Sequence, residues 1–387
     1  MQLKKYLPLV LLVFGMVGSA QLVELSPLTK ISILTVGPGD ELNSKFGHSA
    51  LRLQDPTIGI DVVYNYGLFD FEAPNFYVNF VRGQLDYSLG RQRFNSFCLS
   101  YEREGRWVKE QVLKLSGSDI EALFRFLEDN YLPENRYYKY DFFFDNCTTR
   151  IPDALQKVLN DRLDLDQAAF EKEETYRQLI HQNLEVNSWS NFGIDLALGS
   201  VIDKKGTPFL PINVFDELKN SKIDGAPLVY TEVDILPERR PASHSNFLLS
   251  PLFWLVILLL VVGLVSFLDI KNNKRTRWLD FTLFFVTGAA GLLILFLWFG
   301  TDHLATKINF NSFWAFAPNL AIAFYLLRKQ PPPWTKKYLY VAIGFLVLTV
   351  VFWLLKIQIF SPLIIFILIA LAIRYIFLVR YLKYKSI

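Results

Sequence analysis

Residues 46–53, Phe46-Gly47-His48-Ser49-Ala50-Leu51-Arg52-Leu53, predict a β-strand that opens on a histidine. A second stretch, Phe144-Asp145-Asn146-Cys147-Thr148-Thr149-Arg150, predicts a helix start that carries a cysteine. Both residue types are scarce, with four histidines and two cysteines among 387 residues. A thiol beside an imidazole is the commonest way to make a sulfur nucleophile at neutral pH. We therefore expect Cys147 to be a nucleophile and His48 to be its base.

Composition divides the chain into two parts. The whole is 52% hydrophobic and 16% aromatic, which is too apolar for an ordinary soluble protein, and the excess lies after about Phe247. Residues 1–20 combine a basic start, an apolar run and small residues at the end, so they predict a cleaved signal peptide. Residues 21–247 are then a globular domain outside the cytoplasm, and residues 248–387 are a membrane domain. The net charge is only +3 and basic residues separate apolar segments, so nucleic acid is not indicated as a partner.

Five apolar segments predict an all-α bundle of five membrane-spanning helices. They cover residues 248–268, 278–299, 313–327, 338–355 and 362–379, of which the third is the shortest. Basic residues cluster after the first, third and fifth segments, whereas the opposite loops carry only Lys307 and Lys356. The positive-inside rule therefore places the globular domain outside the cytoplasm and the C-terminus inside it.

The outer domain is predicted to be α+β, with an antiparallel sheet followed by helices. Strands are expected at residues 31–36, 49–53, 61–66, 85–90, 97–101 and 106–115. A capping box of Ser118 with Glu121 predicts a helix to about Asn130. Further helical patterns lie within residues 146–160, 175–182 and 194–202, and a polar linker at residues 239–245 leads into the membrane.

Local chemistry at the cysteine favours a thiolate. Pro152 is tolerated only in the first turn of a helix, so the helix is expected to begin near Thr148 with Cys147 at its mouth. Free N–H groups and the positive end of the helix dipole there favour a thiolate and are able to hold a developing oxyanion. Asn146 is expected to cap or orient this turn.

The hairpin of the second and third strands is expected to bring a third group beside His48. Asn65 has the right chemistry, because its amide oxygen accepts an imidazole N–H, and its neighbour Tyr64 is the other candidate. Arg52 shares a strand face with His48, and it either meets a phosphate head group or pairs with an acid.

Two further groups are candidates for substrate contact. Asp302 and His303 lie in the short outer loop 301–312, where they either contact the substrate or only keep a short loop polar. The run Phe142-Phe143-Phe144 before the cysteine either lines an acyl groove or packs in the core.

The residues alone leave two other interpretations open. Two cysteines outside the cytoplasm often pair, so a Cys98–Cys147 disulfide in a non-catalytic envelope binding or sensor domain is one alternative. Without that bond Cys98 is expected to be a buried strand residue with no chemical role. A membrane-tethered peptidoglycan amidase or peptidase is the other alternative, which explains Cys147 and His48 but leaves five membrane spans unexplained.

The order of histidine before cysteine, with Gly-His opening a strand and Asn-Cys opening a helix, resembles the circularly permuted papain-like (NlpC/P60-type) group that includes the lecithin:retinol acyltransferase type. Over nearly its full length, the chain resembles more closely the Bacteroides-type lipoprotein N-acyltransferases (Lnb). The stretches that carry this resemblance are Leu34-Thr35, Pro38-Gly39-Asp40, Phe46 to Arg52, Tyr64-Asn65-Tyr66-Gly67, Phe76-Tyr77 with Phe80, Asp145 to Arg150, Phe192 to Gly199, and Asp302-His303 with Asn309-Phe310-Asn311.

The resemblance implies an acyltransferase of the bacterial inner membrane that works in two steps. Its catalytic pair would be His48 and Cys147, with Asp145 and Asn146 in support. Cys147 would take an acyl chain from a membrane phospholipid as a thioester, and the N-terminal amine of a diacylglyceryl-cysteine lipoprotein would receive it. No metal or diffusible cofactor is required, and the sequence does not indicate an oligomeric state.

Overall fold

The computed structural model describes residues 23–166, 174–240 and 246–384. The predicted signal peptide, residues 1–20, lies outside the described residues, as do residues 241–245 of the predicted linker.

A sheet with apolar residues on both faces organises the N-terminal half. The strands of this half are β1 Lys30–Val36, β2 His48–Asp55, β3 Ile60–Leu68, β4 Asp86–Arg93, β5 Val108–Leu113, β6 Tyr137–Lys139, β7 Leu163–Asp164, β8 Lys222–Ile223, β9 Ala226–Pro227 and β10 Val229–Leu236. Seven of them form an antiparallel sheet in the order β10-β5-β1-β2-β3-β4-β6, and β7, β8 and β9 form a smaller sheet. Five of the six predicted strands are confirmed. Both faces of β1 and β2 are buried, because helices cover the sheet on both sides.

Seven helices lie among the described residues of this half. They are α1 Phe76–Arg82, α2 Phe94–Arg103, α3 Gly117–Tyr131, α4 Arg150–Leu159, α5 Tyr176–His181, α6 Trp189–Ala197 and α7 Pro211–Asn220. The predicted helices within residues 146–160 and 175–182 are confirmed as α4 and α5, whereas the one predicted at 194–202 begins earlier, at Trp189, and a 3-10 turn at Ser200–Asp203 follows it.

Two predicted details of these elements are wrong. The strand expected at 97–101 belongs to helix α2, because Phe94, Phe97 and Tyr101 recur at helical spacing and pack together against the sheet. The capping box of α3 lies two residues earlier than predicted. Ser116 accepts a hydrogen bond from the backbone of Asp119, and the Asp119 side chain accepts one from the backbone of Ser116.

The C-terminal half is helical. Its helices are α8 Pro251–Lys271, α9 Arg277–Phe299, α10 Asn311–Trp314, α11 Asn319–Leu326, α12 Thr335–Leu354 and α13 Ile364–Tyr384. Among the described residues four helices, α8, α9, α12 and α13, are long and apolar enough to cross a membrane. The predicted third span, 313–327, is not one continuous helix, so the predicted count of five spanning helices is not confirmed.

The break between α10 and α11 has a local cause. Pro318 has no N–H to donate, and Ala315 leaves the helical conformation with ψ of 64°. Buried side-chain contacts hold the broken segment against other helices. The Asn319 side chain donates to Thr287 at 3.0 Å and accepts from Tyr338 at 2.5 Å. Irregular backbone of this kind is tolerated inside a bundle where neighbouring helices satisfy it.

The outer domain is fixed to the bundle by a buried ion cluster and by backbone contacts. Arg177 is fully buried and pairs with Asp195 at 2.9 Å and Asp203 at 2.6 Å. Asp203 also accepts from the backbone of Ile359 at 3.1 Å, and Asn311 donates to the carbonyl of Asp195 at 3.0 Å. The two halves of the chain therefore share one hydrogen-bonded interface.

Candidate active site

Cys147 lies in the turn that leads into helix α4. The helix begins at Arg150, two residues later than predicted. The Asn146 side chain caps the turn, because its Oδ1 accepts from the backbone N–H of Thr148 at 2.7 Å and of Thr149 at 2.9 Å. These two N–H groups are therefore occupied, and the expectation that they hold an oxyanion is wrong for the structure as it stands. Asn146 orients the turn as predicted.

His48 opens strand β2 and faces the thiol. It follows Gly47, which has φ of +84° and lies so close to the Val36 carbonyl that a Cβ there would be 2.7 Å from the oxygen. A residue other than glycine would be strained at this φ and would collide with β1. The tight turn thus fixes where the imidazole begins its reach towards Cys147.

Asn65 is the group that orients the imidazole. Its Oδ1 lies 2.5 Å from His48 Nε2, which leaves Nδ1 as the ring nitrogen for Cys147, the neighbour whose thiolate raises the pKa of His48. The ladder between β3 and β4 shifts register between Asn65 and Leu68, around Gly67 with φ of +88°. A bulge of this kind re-aims side chains beside functional sites. The structure therefore brings Cys147, His48 and Asn65 together.

Electrostatics at this cluster favour an ion pair. Burial raises the pKa of the Cys147 thiol, but the charge of His48 and hydrogen bonds from His48, the Ser49 N–H and Thr148 outweigh it, so the net pKa is lowered. Burial lowers the pKa of His48, but the Cys147 thiolate and the hydrogen bond with Asn65 raise it by more. The net pKa of His48 is therefore above its ordinary value. A thiolate beside an imidazolium is the reactive form of such a pair.

Three tyrosines that the sequence analysis missed surround the sulfur. Burial raises the pKa of Tyr101, Tyr138 and Tyr140, and the charge of the Cys147 thiolate adds to the rise, so their hydroxyls stay protonated. The Tyr138 hydroxyl is buried and has no hydrogen-bond partner within the described residues. The Tyr101 ring stacks on the imidazole at 6.4 Å between centroids. The tyrosine-rich run 137–140, just before the cysteine, could have indicated Tyr138 and Tyr140. Tyr101 was missed because residues 97–101 were predicted to be a strand.

Arg52 and Tyr64 do not join the site. Arg52 is 7% exposed, forms ion pairs with Glu110 and Asp61, and stacks on a phenylalanine ring, so it pairs with acids and does not meet a head group. Tyr64 lies on the opposite strand face from Asn65, because successive residues of a strand alternate, and its hydroxyl donates to Glu128 at 2.5 Å. The expectation that Tyr64 supports His48 is therefore wrong.

Other predicted residues take structural positions. Asp145 pairs with Arg150 at 2.6 Å, and the Arg150 guanidinium lies 3.4 Å from the centre of the Tyr138 ring. Phe143 packs in a core with Tyr176 and Phe209. The run Phe142-Phe143-Phe144 therefore contributes to the core rather than to an open groove.

Asp302 and His303 contact the outer domain at a distance from the thiol cluster. The Asp302 N–H donates to the Arg82 carbonyl at 2.8 Å, and its carboxylate accepts from the Gln84 side chain at 2.8 Å. The His303 ring packs against Gly83. The structure gives neither residue a contact with Cys147 or His48 among the described residues.

Both cysteines are free thiols, so the Cys98–Cys147 disulfide interpretation is wrong. Cys98 is half-buried on helix α2, not on a strand, and burial raises the pKa of its thiol to about 11. Cys147 is therefore the more reactive of the two thiols.

Two family models match this chain. One describes the Lnb N-terminal periplasmic domain and matches residues 23–182, and the other describes the Lnb transmembrane domain and matches residues 242–386. Neither a curated protein nor a solved structure matches it. The matches agree with the apolar helices in describing a membrane protein whose N-terminal domain lies in the periplasm.

Proposed function

The chain belongs to the Lnb family, and we propose that it is a lipoprotein N-acyltransferase of the bacterial inner membrane. It moves an acyl chain from a membrane phospholipid, through a Cys147 thioester, to the N-terminal amine of a diacylglyceryl-cysteine lipoprotein. The observation that carries the proposal is the buried thiol in contact with His48, whose other ring nitrogen is held by Asn65. Family membership supports the lipoprotein substrate.

We extend the proposal to the fold and the domains. Residues 21–247 form a permuted papain-like thiol acyltransferase domain, and residues 248–387 form the membrane domain. The histidine at the start of a sheet strand, the cysteine in the turn before a helix and the asparagine on the imidazole support this assignment. They are the parts of a papain-type site with histidine ahead of cysteine in the chain.

The first step forms the thioester. The Cys147 thiolate attacks an ester carbonyl carbon of the phospholipid, and the negative charge moves to the carbonyl oxygen. The backbone N–H of Cys147, to which the described residues offer no acceptor, and the hydroxyl of Tyr138 are the available donors for that oxygen. The bond between the carbonyl carbon and the glycerol oxygen then breaks. His48 gives its proton to that oxygen, and a lysophospholipid leaves.

The second step forms the amide. The α-amine of the lipoprotein attacks the thioester carbonyl, neutral His48 takes a proton from the amine, and the carbon–sulfur bond breaks to restore the thiolate. The histidine thus acts first as an acid and then as a base.

We also propose that the chain crosses the membrane five times and ends in the cytoplasm, with the broken segment 311–326 as its third crossing. At one end of this segment Asn311 is bonded to the outer domain. At its other end the Leu326 carbonyl accepts from Arg275 at 2.7 Å, in the basic loop after α8. Two helices interrupted by a proline therefore link the outer loop to a basic loop, as a crossing requires.

The test is direct detection of the acyl-enzyme. Purified full-length protein is mixed with phospholipid vesicles and its intact mass is measured. We expect one long-chain acyl group on Cys147 that hydroxylamine removes, and its transfer to an added diacylglyceryl-cysteine peptide. Cys147→Ala and His48→Ala should abolish it while leaving the protein folded and inserted, and the matched control Cys98→Ser should retain it.

The opposite result also has a clear meaning. A wild-type protein that forms no thioester but cleaves peptidoglycan fragments would be a tethered amidase or peptidase instead. Loss of acylation in Cys98→Ser, with Cys147→Ala active, would overturn the assignment of the nucleophile.

A further inference from the structure

An apolar segment of the outer domain, residues 69–82, is exposed without any covering from the described residues. It comprises helix α1 and the loop before it, and only Phe76 in the helix is buried. The exposed fractions are 68% for Phe71, 78% for Tyr77 and 51% for Phe80. A helix that faces water places polar residues at such positions, and a contiguous exposed apolar surface of this kind marks a site of contact with a membrane or another protein.

The position of the apolar segment decides between these partners. Its C-terminal end is bonded to Asp302, which accepts from Gln84 and donates to Arg82. Asp302 lies only three residues after Phe299, where the membrane helix α9 ends. The apolar segment is thus held beside the outer end of a membrane helix, where the nearest apolar partner is the lipid itself. Aromatic residues at this depth are typical of membrane–water interfaces.

A row of aromatic rings connects the apolar segment with the thiol. Phe76 lies 5.9 Å from Phe69, Phe69 lies 5.3 Å from Tyr87, and Tyr87 stacks on Tyr140 at 4.3 Å between ring centroids. Tyr140 and the Cβ of Cys147 lie on the same side of Gly67, where a side chain would contact both. The row of rings therefore ends beside Cys147, with only the side-chain-free Gly67 next to both residues.

We propose that the apolar segment 69–82 inserts into the outer leaflet of the membrane and that the aromatic row guides one acyl chain of a phospholipid from there to Cys147. The second half of this inference rests on the proposed acyl transfer, whereas insertion does not. Asp302 and His303 then act as positioning residues, since they hold the end of helix α1 at the membrane surface. This accounts for two predicted substrate residues that the structure keeps away from the thiol.

Insertion is tested without chemistry. Full-length protein with Cys98→Ser and Cys147→Ala receives one cysteine at Tyr77→Cys, is labelled with a nitroxide and is reconstituted in phosphatidylethanolamine–phosphatidylglycerol vesicles. Tyr230→Cys is the matched control, because Tyr230 is 74% exposed on strand β10. We expect collisions with oxygen to exceed those with a water-soluble nickel chelate at position 77 and the reverse at position 230. Equal nickel access at both positions would overturn insertion. Spin–spin broadening at position 77 that disappears on dilution with unlabelled chain would also overturn it, because the segment would then contact a second copy of the chain.

The acyl route is tested by comparing two donors. Tyr77→Asp should slow thioester formation from vesicle phospholipid at least tenfold and leave the rate with a water-soluble short-chain ester unchanged, whereas Tyr230→Asp should change neither rate. An unchanged rate with vesicles would overturn the route and leave acyl transfer intact. If the wild type forms no thioester even with the soluble ester, the proposed function fails and the guiding role fails with it, while the nitroxide result still decides insertion.

Discussion

Replacing Asn65 by alanine tests how the site makes its nucleophile. Asn65 is 5% exposed, and its Oδ1 lies 2.5 Å from His48 Nε2, so the variant leaves the imidazole without the acceptor that orients it. A hydrogen bond to a charged group contributes about 1.5–3 kcal/mol. At about 1.4 kcal/mol for each factor of ten in rate, the loss corresponds to a fall of about 10- to 150-fold in thioester formation.

The pH dependence gives a sharper readout than the rate alone. The hydrogen bond with Asn65 helps to raise the pKa of His48, and the charge of His48 helps to lower the pKa of Cys147. Without Asn65 the imidazolium is less stable. The Cys147 thiol then loses its proton at a higher pH, and the His48 imidazolium loses its proton at a lower pH. The rate of Cys147 alkylation by a neutral reagent, measured against pH in the Cys98→Ser background, should therefore rise at higher pH than in the wild type, because thiolate formation is shifted to higher pH.

Tyr64→Phe is the matched control for this prediction. Tyr64 is the neighbour of Asn65 on β3, it is buried, and it also loses one hydrogen bond, but that bond is to Glu128 on the opposite face. Because the acceptor is a carboxylate, we expect this variant to lower the free energy of unfolding by about 1.5–3 kcal/mol and to leave the pH profile unchanged. An Asn65→Ala variant with the wild-type rate and profile would refute the reasoning, and so would the same shift of the profile in Tyr64→Phe.

Three further predictions concern stability and topology. Arg177→Met leaves buried Asp195 and Asp203 without their cation, so it should destabilise the full-length protein by about 3–5 kcal/mol. Arg162 is solvent-exposed, so Arg162→Met should lower the thermal midpoint much less, and similar thermal midpoints for both variants would contradict this. Burial, with Asp166 and Asp153 nearby, raises the pKa of Glu217 to about 7, so the folded chain binds an extra proton and loses stability as pH rises from 4.5 to about 7. Glu217→Gln should therefore match the wild type below pH 4.5 and exceed its stability above pH 7, by up to about 3 kcal/mol at about 1.4 kcal/mol per pKa unit; equal melting curves at pH 8 would rule this out. A cysteine at Asn272, in the Cys98→Ser and Cys147→Ala background, should react with a membrane-impermeant reagent only after spheroplasts are permeabilised, and labelling of intact spheroplasts would place the active site on the wrong side.

The sequence predicted those parts of the site that depend on local spacing. The hairpin of β2 and β3 predicted a third group beside His48 and left Tyr64 and Asn65 as the two candidates. Strand alternation decides for Asn65 and against Tyr64, but only once the register of β2 with β3 is known. Arg52 shares the His48 face as predicted, yet its partner Glu110 comes from β5, which no local pattern identifies.

The errors arise where a neighbour distant in the chain decides the structure. Residues 97–101 form a helix because the stripe that begins at Phe94 finds a surface on the sheet, and a five-residue window does not contain that stripe. The Asn146 cap delays the start of helix α4 until Arg150, although Pro152 is compatible with both starts. The third membrane segment is broken before Pro318, where the Asn319 side chain bonds to Thr287 and Tyr338 of other helices, and no pattern within the segment identifies these partners.

These long-range contacts also explain why a single membrane anchor would not replace the bundle. One helix joined by a flexible linker would leave the domain free to rotate about the anchor, and the thiol would have no fixed height above the lipid. Here the outer loop 301–312 holds the domain at two separate places, through Asp302 at Arg82 of helix α1 and through Asn311 at Asp195. Two separated contacts remove the rotation that one contact permits. Cys147 is therefore kept at one orientation to the bundle, and this is the condition that the proposed row of aromatic rings requires to guide an acyl chain to the thiol.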